Sequence, residues 1–156
     1  MENIDYHPPG RVAAQFHADD SRVRGLMGCV GSGKSSSCCV EILSRALRQK
    51  PYNGVRKSRW AIIRNTYPEL KSTTIKTWET WFNSSVAPIK WDTPITSTMK
   101  IGDIGDGTAL ELEVVFLAMD RAEETGKLRS LELTGPRYRD WETDRKSTRL
   151  NSSHRL

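Results

Sequence analysis

The segment Gly28-Cys-Val-Gly-Ser-Gly-Lys34-Ser35 constrains the fold of this chain more than any other feature. It satisfies the pattern G-x-x-x-x-G-K-[ST] in full and stands between a short apolar run, residues 22–28, and a helical stretch from Ser36 to Gln49. A glycine-rich turn that joins a strand to a helix is typical of a parallel α/β sheet. We therefore predict a strand over 22–28 at the centre of the sheet and a helix over 34–49 packed on one face.

The same segment predicts a phosphate-binding loop. Glycines allow the backbone to approach a phosphate group closely, and the N–H groups at the start of the following helix point toward negative charge. Lys34 is expected to reach the β- and γ-phosphates of a nucleotide, and the Ser35 hydroxyl is expected to bind Mg²⁺. The candidate nucleotide-binding residues are Gly28, Cys29, Val30, Gly31, Ser32, Gly33, Lys34 and Ser35. The alternative is a purely structural glycine-rich turn.

The rest of the chain reads as alternating strands and helices. Trp60 to Ile63 predicts a buried strand, and a second helix is expected from Tyr67-Pro68 to about Phe82. The apolar stripe of this helix consists of Leu70, Thr74, Trp78 and Phe82, spaced four apart. Further predicted elements are strands at 97–101 and 109–119 around a turn at 102–107, a short helix at 122–127 and the start of a strand at 130–134.

Composition excludes some classes of protein. The 156 residues include 37% hydrophobic and 28% charged residues, which is ordinary for a soluble globular protein, and no stretch approaches the roughly 18 apolar residues of a membrane span. The three cysteines give neither an even disulfide framework nor metal-ligand spacing, so we expect free thiols in the cytosol and no metal site formed by them. Much of the net charge of +5 comes from the last residues, so the charge alone does not indicate nucleic-acid binding.

Residues 136–156 differ in character from the residues before them. They show almost no apolar periodicity, contain basic clusters and end in a serine-rich stretch. The run from Asp144 to His154 matches the translation of a common sequencing-adapter oligonucleotide. We therefore predict a non-native, disordered tail, and we expect the natural protein to continue beyond the point of joining.

Besides a phosphate-binding loop, a nucleoside triphosphatase needs an acidic residue at the end of a buried strand to hold Mg²⁺. The run Val114-Val-Phe-Leu-Ala-Met-Asp120 has this pattern. The alternative, which we prefer, is that Asp120 caps the helix that begins near Ala122.

Three segments together resemble a known family. They are GCVGSGKSSSCCVEILSRALRQKP, WAIIRNTYPELKSTTIKTWETWF and LEVVFLAMDRAEETGKLRSLELTG. They resemble the N-terminal ATPase domain of the large terminase subunit of tailed bacteriophages, over roughly residues 8 to 135. The resemblance implies an α/β fold, the P-loop NTPase three-layer sandwich with a mainly parallel sheet, here incomplete. It also divides the chain into a partial ATPase domain at 1–135 and the tail at 136–156, without the family's C-terminal nuclease domain.

The resemblance implies roles for particular residues. Gly28, Gly33, Lys34 and Ser35 become the phosphate and Mg²⁺ site, with Lys34 as a catalytic residue. In the family, an arginine that precedes the acidic pair in the sequence is proposed to reach the γ-phosphate of a neighbouring subunit, and Arg129 lies at the matching sequence distance. The alternative is a solvated arginine at a helix end. Gln15-Phe16 resemble the adenine-contacting segment. Two further observations concern the chain's end: the acidic pair expected after LELTG is missing, and Asp140 and Glu142 lack the apolar strand that should carry them.

By resemblance, the parent protein is an ATPase that uses ATP and Mg²⁺ to drive double-stranded DNA through a portal into an empty procapsid. The implied partners are double-stranded DNA, the portal protein, the small terminase subunit and further copies of the chain in a ring. The implied location is the host cytoplasm at the procapsid portal. We expect the chain as it stands to be inactive alone. The alternative function is a P-loop nucleotide kinase or a nucleotide-binding switch protein.

Overall fold

The computed structural model describes residues 4–119, 131–134 and 138–139, and within them the chain is an α/β protein built around one mixed sheet. The helical elements are α1 (Arg11–Ala18), α2 (Lys34–Leu47), α3 (Tyr67–Glu69), a π-helical segment (Leu70–Ile75) and α4 (Lys76–Trp81). The strands are β1 (Val55–Arg64), β2 (Ile89–Lys90), β3 (Ile95–Ile101), β4 (Ala109–Ala118) and β5 (Tyr138–Arg139).

The strand order is β2-β3-β4-β1-β5. β1 pairs in parallel with β4 and β5, whereas the β2–β3 and β3–β4 pairs are antiparallel. The predicted hairpin is present, and its short turn at 102–107 forces β3 and β4 to run antiparallel. The expectation of a mainly parallel sheet is therefore wrong, because half of the pairings are made by antiparallel neighbours.

The predicted central strand over 22–28 is also wrong. This segment is not a strand, and Val23 and Met27, which should have been buried, are 87% and 71% exposed. The position beside β1 is taken on one side by β4 and on the other by Thr134 and β5. Thr134 exchanges two hydrogen bonds with the backbone of Arg59, at 2.9 and 3.0 Å. Within the described residues, the edges of β1 are therefore occupied by other segments.

The main core lies between the sheet and the helices α2 to α4. Trp60, Ile62, Leu112, Val114 and Phe116 point to this side from the two central strands. On the other face a smaller cluster, Ala61, Ile63, Val115 and Leu117, is covered by Met119, Leu131 and Leu133. The described residues thus form one layer of helices on one face of the sheet, and the third layer of the predicted sandwich is not among them.

The first predicted helix is confirmed as α2, and its direction follows from Arg56 near the start of β1. The Arg56 guanidinium donates to the carbonyl oxygens of Leu47 at 3.0 Å and Gln49 at 2.5 Å, at the end of α2. Because β1 begins where α2 ends, the N-terminus of α2 is directed toward the edge where β1 and β4 end. That edge is where open α/β sheets usually bind ligands.

The second predicted helix is confirmed over Tyr67–Trp81, but it is not α-helical throughout. Its predicted stripe is buried at every position: Leu70, Thr74, Trp78 and Phe82 are each less than 5% exposed. The π-helical turn adds Ile75 to this buried face. In a regular α-helix, Ile75 would lie about 140° around the axis from Leu70. The wider turn therefore buries one more apolar side chain than the four-residue spacing predicts.

Several predictions concern the last part of the chain. The expected short helix at 122–127, Asp120, Asp140 and Glu142 lie outside the described residues. The expected strand at 130–134 is wrong for 131–134, which are irregular. Within the predicted tail, Tyr138 and Arg139 pair with Ile62 and Ile63 as β5. The prediction of a disordered, non-native tail otherwise stays a prediction, because the rest of it lies outside the described residues.

Candidate functional site

The glycine-rich loop has the backbone conformation that its sequence requires. Gly31 and Gly33 have φ of 81° and 76°, in the left-handed region that glycine adopts without strain. A side chain at Gly28 would meet the Ser32 hydroxyl at 2.8 Å. Gly33 is also the N-cap of α2, so that Lys34 and Ser35 begin the helix. The loop is therefore a tight turn that leads directly into a helix N-terminus.

The Lys34 ammonium group is folded back over this loop. Its Nζ donates to the carbonyl oxygens of Gly28 at 2.9 Å and Cys29 at 2.7 Å, and to the Ser32 hydroxyl at 3.2 Å. Lys34 and Ser35 are both partly exposed. The arrangement places one positive charge within the turn, beside the positive end of the α2 dipole. An anion bound at this helix end would be attracted by both the Lys34 charge and the positive end of the helix dipole.

An N-terminal arm, residues Tyr6–Gly10, packs against the loop. The Pro9 ring lies so close to Gly33 that a Cβ at Gly33 would be 2.8 Å from Pro9 Cγ. The Tyr6 ring lies edge-on to Trp81 of α4, with centroids 5.4 Å apart. The Tyr6 hydroxyl bonds Ser37 Oγ at 2.9 Å, one turn into α2. The arm thus contacts the loop, α2 and α4 together.

A buried ionic network lies behind the arm. Glu41 of α2 is 5% exposed, and its carboxylate accepts from His17 at 2.6 Å, Arg45 at 2.7 Å and Arg24 at 2.8 Å. Burial raises the pKa of Glu41, but the hydrogen bonds from His17, Arg45 and Arg24 outweigh it and hold this pKa below its usual range. Glu41 is therefore a buried anion that links α1, the segment after it and α2.

The sequence did not indicate this network. Tyr6 and His17 are separated by 11 residues, and His17 and Glu41 by 24, so no local spacing joins them. The burial of Glu41, which only the structure shows, is what points to the network, because a glutamate is seldom buried unless it is paired.

The other predicted site residues have different outcomes. Gln15, proposed by resemblance to contact adenine, lies in α1 with an exposed side chain, whereas its neighbours Phe16 and His17 are partly buried. Arg24 lies over the Phe16 ring at 4.7 Å. Arg129 lies outside the described residues. The residues from Gly28 to Ser35 form one turn into α2, without the predicted strand before it, and their role as a nucleotide site stays a prediction.

The three cysteines differ in their surroundings. Cys29, in the loop, is exposed, whereas Cys38 and Cys39 are buried. Burial, and then the neighbouring Cys38, raise the pKa of the Cys39 thiol to about 12. In the described part of the chain, no three histidine, cysteine, aspartate or glutamate side chains are grouped closely enough to hold a metal ion.

Together the fold and the site define an α/β protein with a mixed sheet and a glycine-rich loop at a helix N-terminus. Comparison with known protein families, with curated proteins and with solved structures gives no match for this chain. Among the helices described here, none has the length and apolar character needed to cross a bilayer.

Proposed function

We propose that the Gly28–Ser35 loop binds the phosphate groups of ATP. The observation that carries this proposal is the turn itself: two glycines with positive φ deliver Lys34 and Ser35 to the first turn of a 14-residue helix. Backbone N–H groups at a helix start and a lysine held above them are the two components that recognise a phosphate chain.

The residues of the loop fit a bound nucleotide. Lys34 Nζ donates to the carbonyl oxygens of Gly28 and Cys29, and a phosphate oxygen offers it a stronger, charge-assisted acceptor than a carbonyl. Its charge would then stabilise the negative charge that develops on the transferring phosphoryl group. The Ser35 hydroxyl, in the first turn of α2, would hold Mg²⁺, which neutralises phosphate charge when bound.

We further propose that this nucleotide site belongs to a DNA-packaging motor of the terminase type, with ATP hydrolysis coupled to movement of double-stranded DNA. The support is the resemblance of three segments of the sequence, residues 28–51, 60–82 and 112–135. Under this proposal the partners are DNA, a portal protein, a small terminase subunit and further copies of the chain. It places the protein at the procapsid portal in the host cytoplasm.

Binding of a fluorescent ATP analogue with Mg²⁺ tests the first proposal. We expect saturable binding by the wild-type chain, and loss of at least tenfold in affinity in Lys34→Ala, because a charge-assisted contact is removed. Lys57→Ala is the matched control, since Lys57 lies on the sheet with a side chain that is 74% exposed. Equal affinity in folded Lys34→Ala and wild type would contradict the assignment.

Turnover assays on the full-length parent protein separate the motor from the alternative function. A packaging motor should hydrolyse ATP and be stimulated by double-stranded DNA, and Lys34→Ala should abolish turnover while the circular dichroism spectrum is retained. Transfer of the γ-phosphate to a nucleoside monophosphate, with no response to DNA, would instead identify a nucleotide kinase.

A further inference from the structure

A chain of hydrogen bonds connects the buried Glu41 to the phosphate loop. Ser37 Oγ donates to the carbonyl oxygen of Gly33 at 3.0 Å, so it is available to accept from the Tyr6 hydroxyl at 2.9 Å. The Tyr6 hydroxyl has only one proton. Its oxygen also lies 2.9 Å from Nε2 of His17, with which it forms a second hydrogen bond.

At its other end, this chain of hydrogen bonds begins with the contact between His17 and Glu41. The Glu41 carboxylate is ionised, and it accepts from Nδ1 of His17 at 2.6 Å. Arg24 and Arg45 both donate to the second carboxylate oxygen of Glu41. This relay of hydrogen bonds joins Glu41 to the Gly33 carbonyl through His17, Tyr6 and Ser37.

The relay also fixes the position of the N-terminal arm. Tyr6 is three residues before Pro9, and Pro9 packs on Gly33, the residue whose carbonyl ends the relay. The loop is therefore held on two sides, by the Pro9 ring from outside and by the Ser37 hydroxyl from within α2. Both contacts act on the glycine that gives the loop its left-handed turn.

We propose that the arm Tyr6–Gly10 is a latch that holds the phosphate loop in its binding conformation, with the Tyr6 hydroxyl as the closing contact. This inference rests on the proposed nucleotide site and adds a contact that controls the affinity of that site for nucleotide. Tyr6 and Ser37 are positioning residues, because Ser37 bonds the Gly33 carbonyl of the loop and Tyr6 bonds Ser37. With the latch open, the loop has more conformations to lose on binding, and affinity falls.

Tyr6→Phe opens the latch with the smallest change, because it removes the hydroxyl and keeps the ring against Trp81. Amide hydrogen exchange of residues 28–37 without nucleotide should become about three- to tenfold faster, as expected for loss of buried hydrogen bonds. Affinity for the fluorescent ATP analogue should fall by a similar factor. Tyr52→Phe is the matched control, since Tyr52 is 80% exposed, and it should change neither quantity.

A second variant distinguishes a latch from a general loss of stability. Ser37→Ala should have the same effect as Tyr6→Phe, and the double variant should be no worse than either alone, because both remove one contact. Additive effects, unchanged exchange in the loop, or tighter nucleotide binding in Tyr6→Phe would overturn the proposal. If exchange responds as expected but no variant, nor the wild type, binds ATP, the latch stands and the nucleotide assignment fails.

Discussion

Arg56 of β1 donates a hydrogen bond of 3.0 Å to the carbonyl oxygen of Leu47, the last residue of α2. The same guanidinium reaches Gln49, Thr108 and Asp106, so one side chain joins the end of the helix to the β3–β4 turn. The carbonyl groups at the end of a helix have no hydrogen-bond donors inside the helix, and here the Arg56 guanidinium provides donors for them.

Arg56→Ala should therefore lower the free energy of unfolding by about 1–3 kcal/mol, the usual cost of leaving polar groups without partners. Urea denaturation followed by circular dichroism measures this change. Lys57→Ala, the exposed neighbour, should remain close to wild type. Equal midpoints for both variants would show that the carbonyl groups find other partners.

Ser97 makes a second buried polar link. Its hydroxyl accepts from Trp78 Nε1 at 3.1 Å and donates to the Ala87 carbonyl at 3.1 Å, which ties α4 to β3 and to the segment before β2. Ser97→Ala leaves both partners buried without this link, so we expect a loss of about 1–3 kcal/mol in thermal or urea unfolding. The exposed Ser84 provides the control; a loss as large in Ser84→Ala would argue against the buried link as the cause.

The lowered pKa of Glu41 predicts a dependence of stability on pH. Because the folded state holds this pKa below the unfolded value, the stabilisation is present above about pH 4.3 and is lost as the pH falls through the folded value. Glu41→Gln lacks this contribution. The difference in unfolding free energy between wild type and Glu41→Gln should therefore shrink under acidic conditions, in urea titrations at a series of pH values. A difference independent of pH would mean that the charge of Glu41 is not the stabilising feature.

The cysteines should react in a definite order with a thiol reagent. Cys29 is exposed and should react first, whereas Cys39, with a pKa raised to about 12 and little exposure, should react only after unfolding. Mass spectrometry of peptides after brief alkylation identifies the modified residue. If the loop binds ATP, Mg²⁺-ATP should slow alkylation of Cys29. Modification of Cys39 in the folded protein as fast as that of Cys29 would contradict the structure.

Local features of the fold could be predicted from the sequence. Two examples are the apolar stripe of Leu70, Thr74, Trp78 and Phe82 and the glycine-rich turn at 102–107. Both depend on residues only a few positions apart, so residue spacing and turn-forming residues are enough to predict them. The tight turn at Gly28–Ser35 is of the same kind, since its glycines and Lys34 are close together in the chain; phosphate binding there stays a proposal.

Features that depend on distant pairings could not be predicted. Residues 22–28 have the composition of a strand, but a strand also needs a partner with a vacant edge, and the edges of β1 are taken by β4, Thr134 and β5. The Tyr6, His17 and Glu41 relay joins three distant parts of the chain. Nothing in the composition of any one part indicates the other two.

The π-helical turn at Leu70–Ile75 has a consequence for how the chain length can vary. A π turn holds one residue more per hydrogen-bonded loop than an α turn, because its bonds join residues five apart. Deleting one exposed residue there, Ser72 or Thr73, would convert the turn to α-helix and leave Leu70 and Trp78 on the same face. The same deletion within α2 would rotate the following residues by about 100° and expose part of the core. The helical run Tyr67–Trp81 can therefore lose one residue at its π turn while the buried side chains before and after the turn keep their orientation.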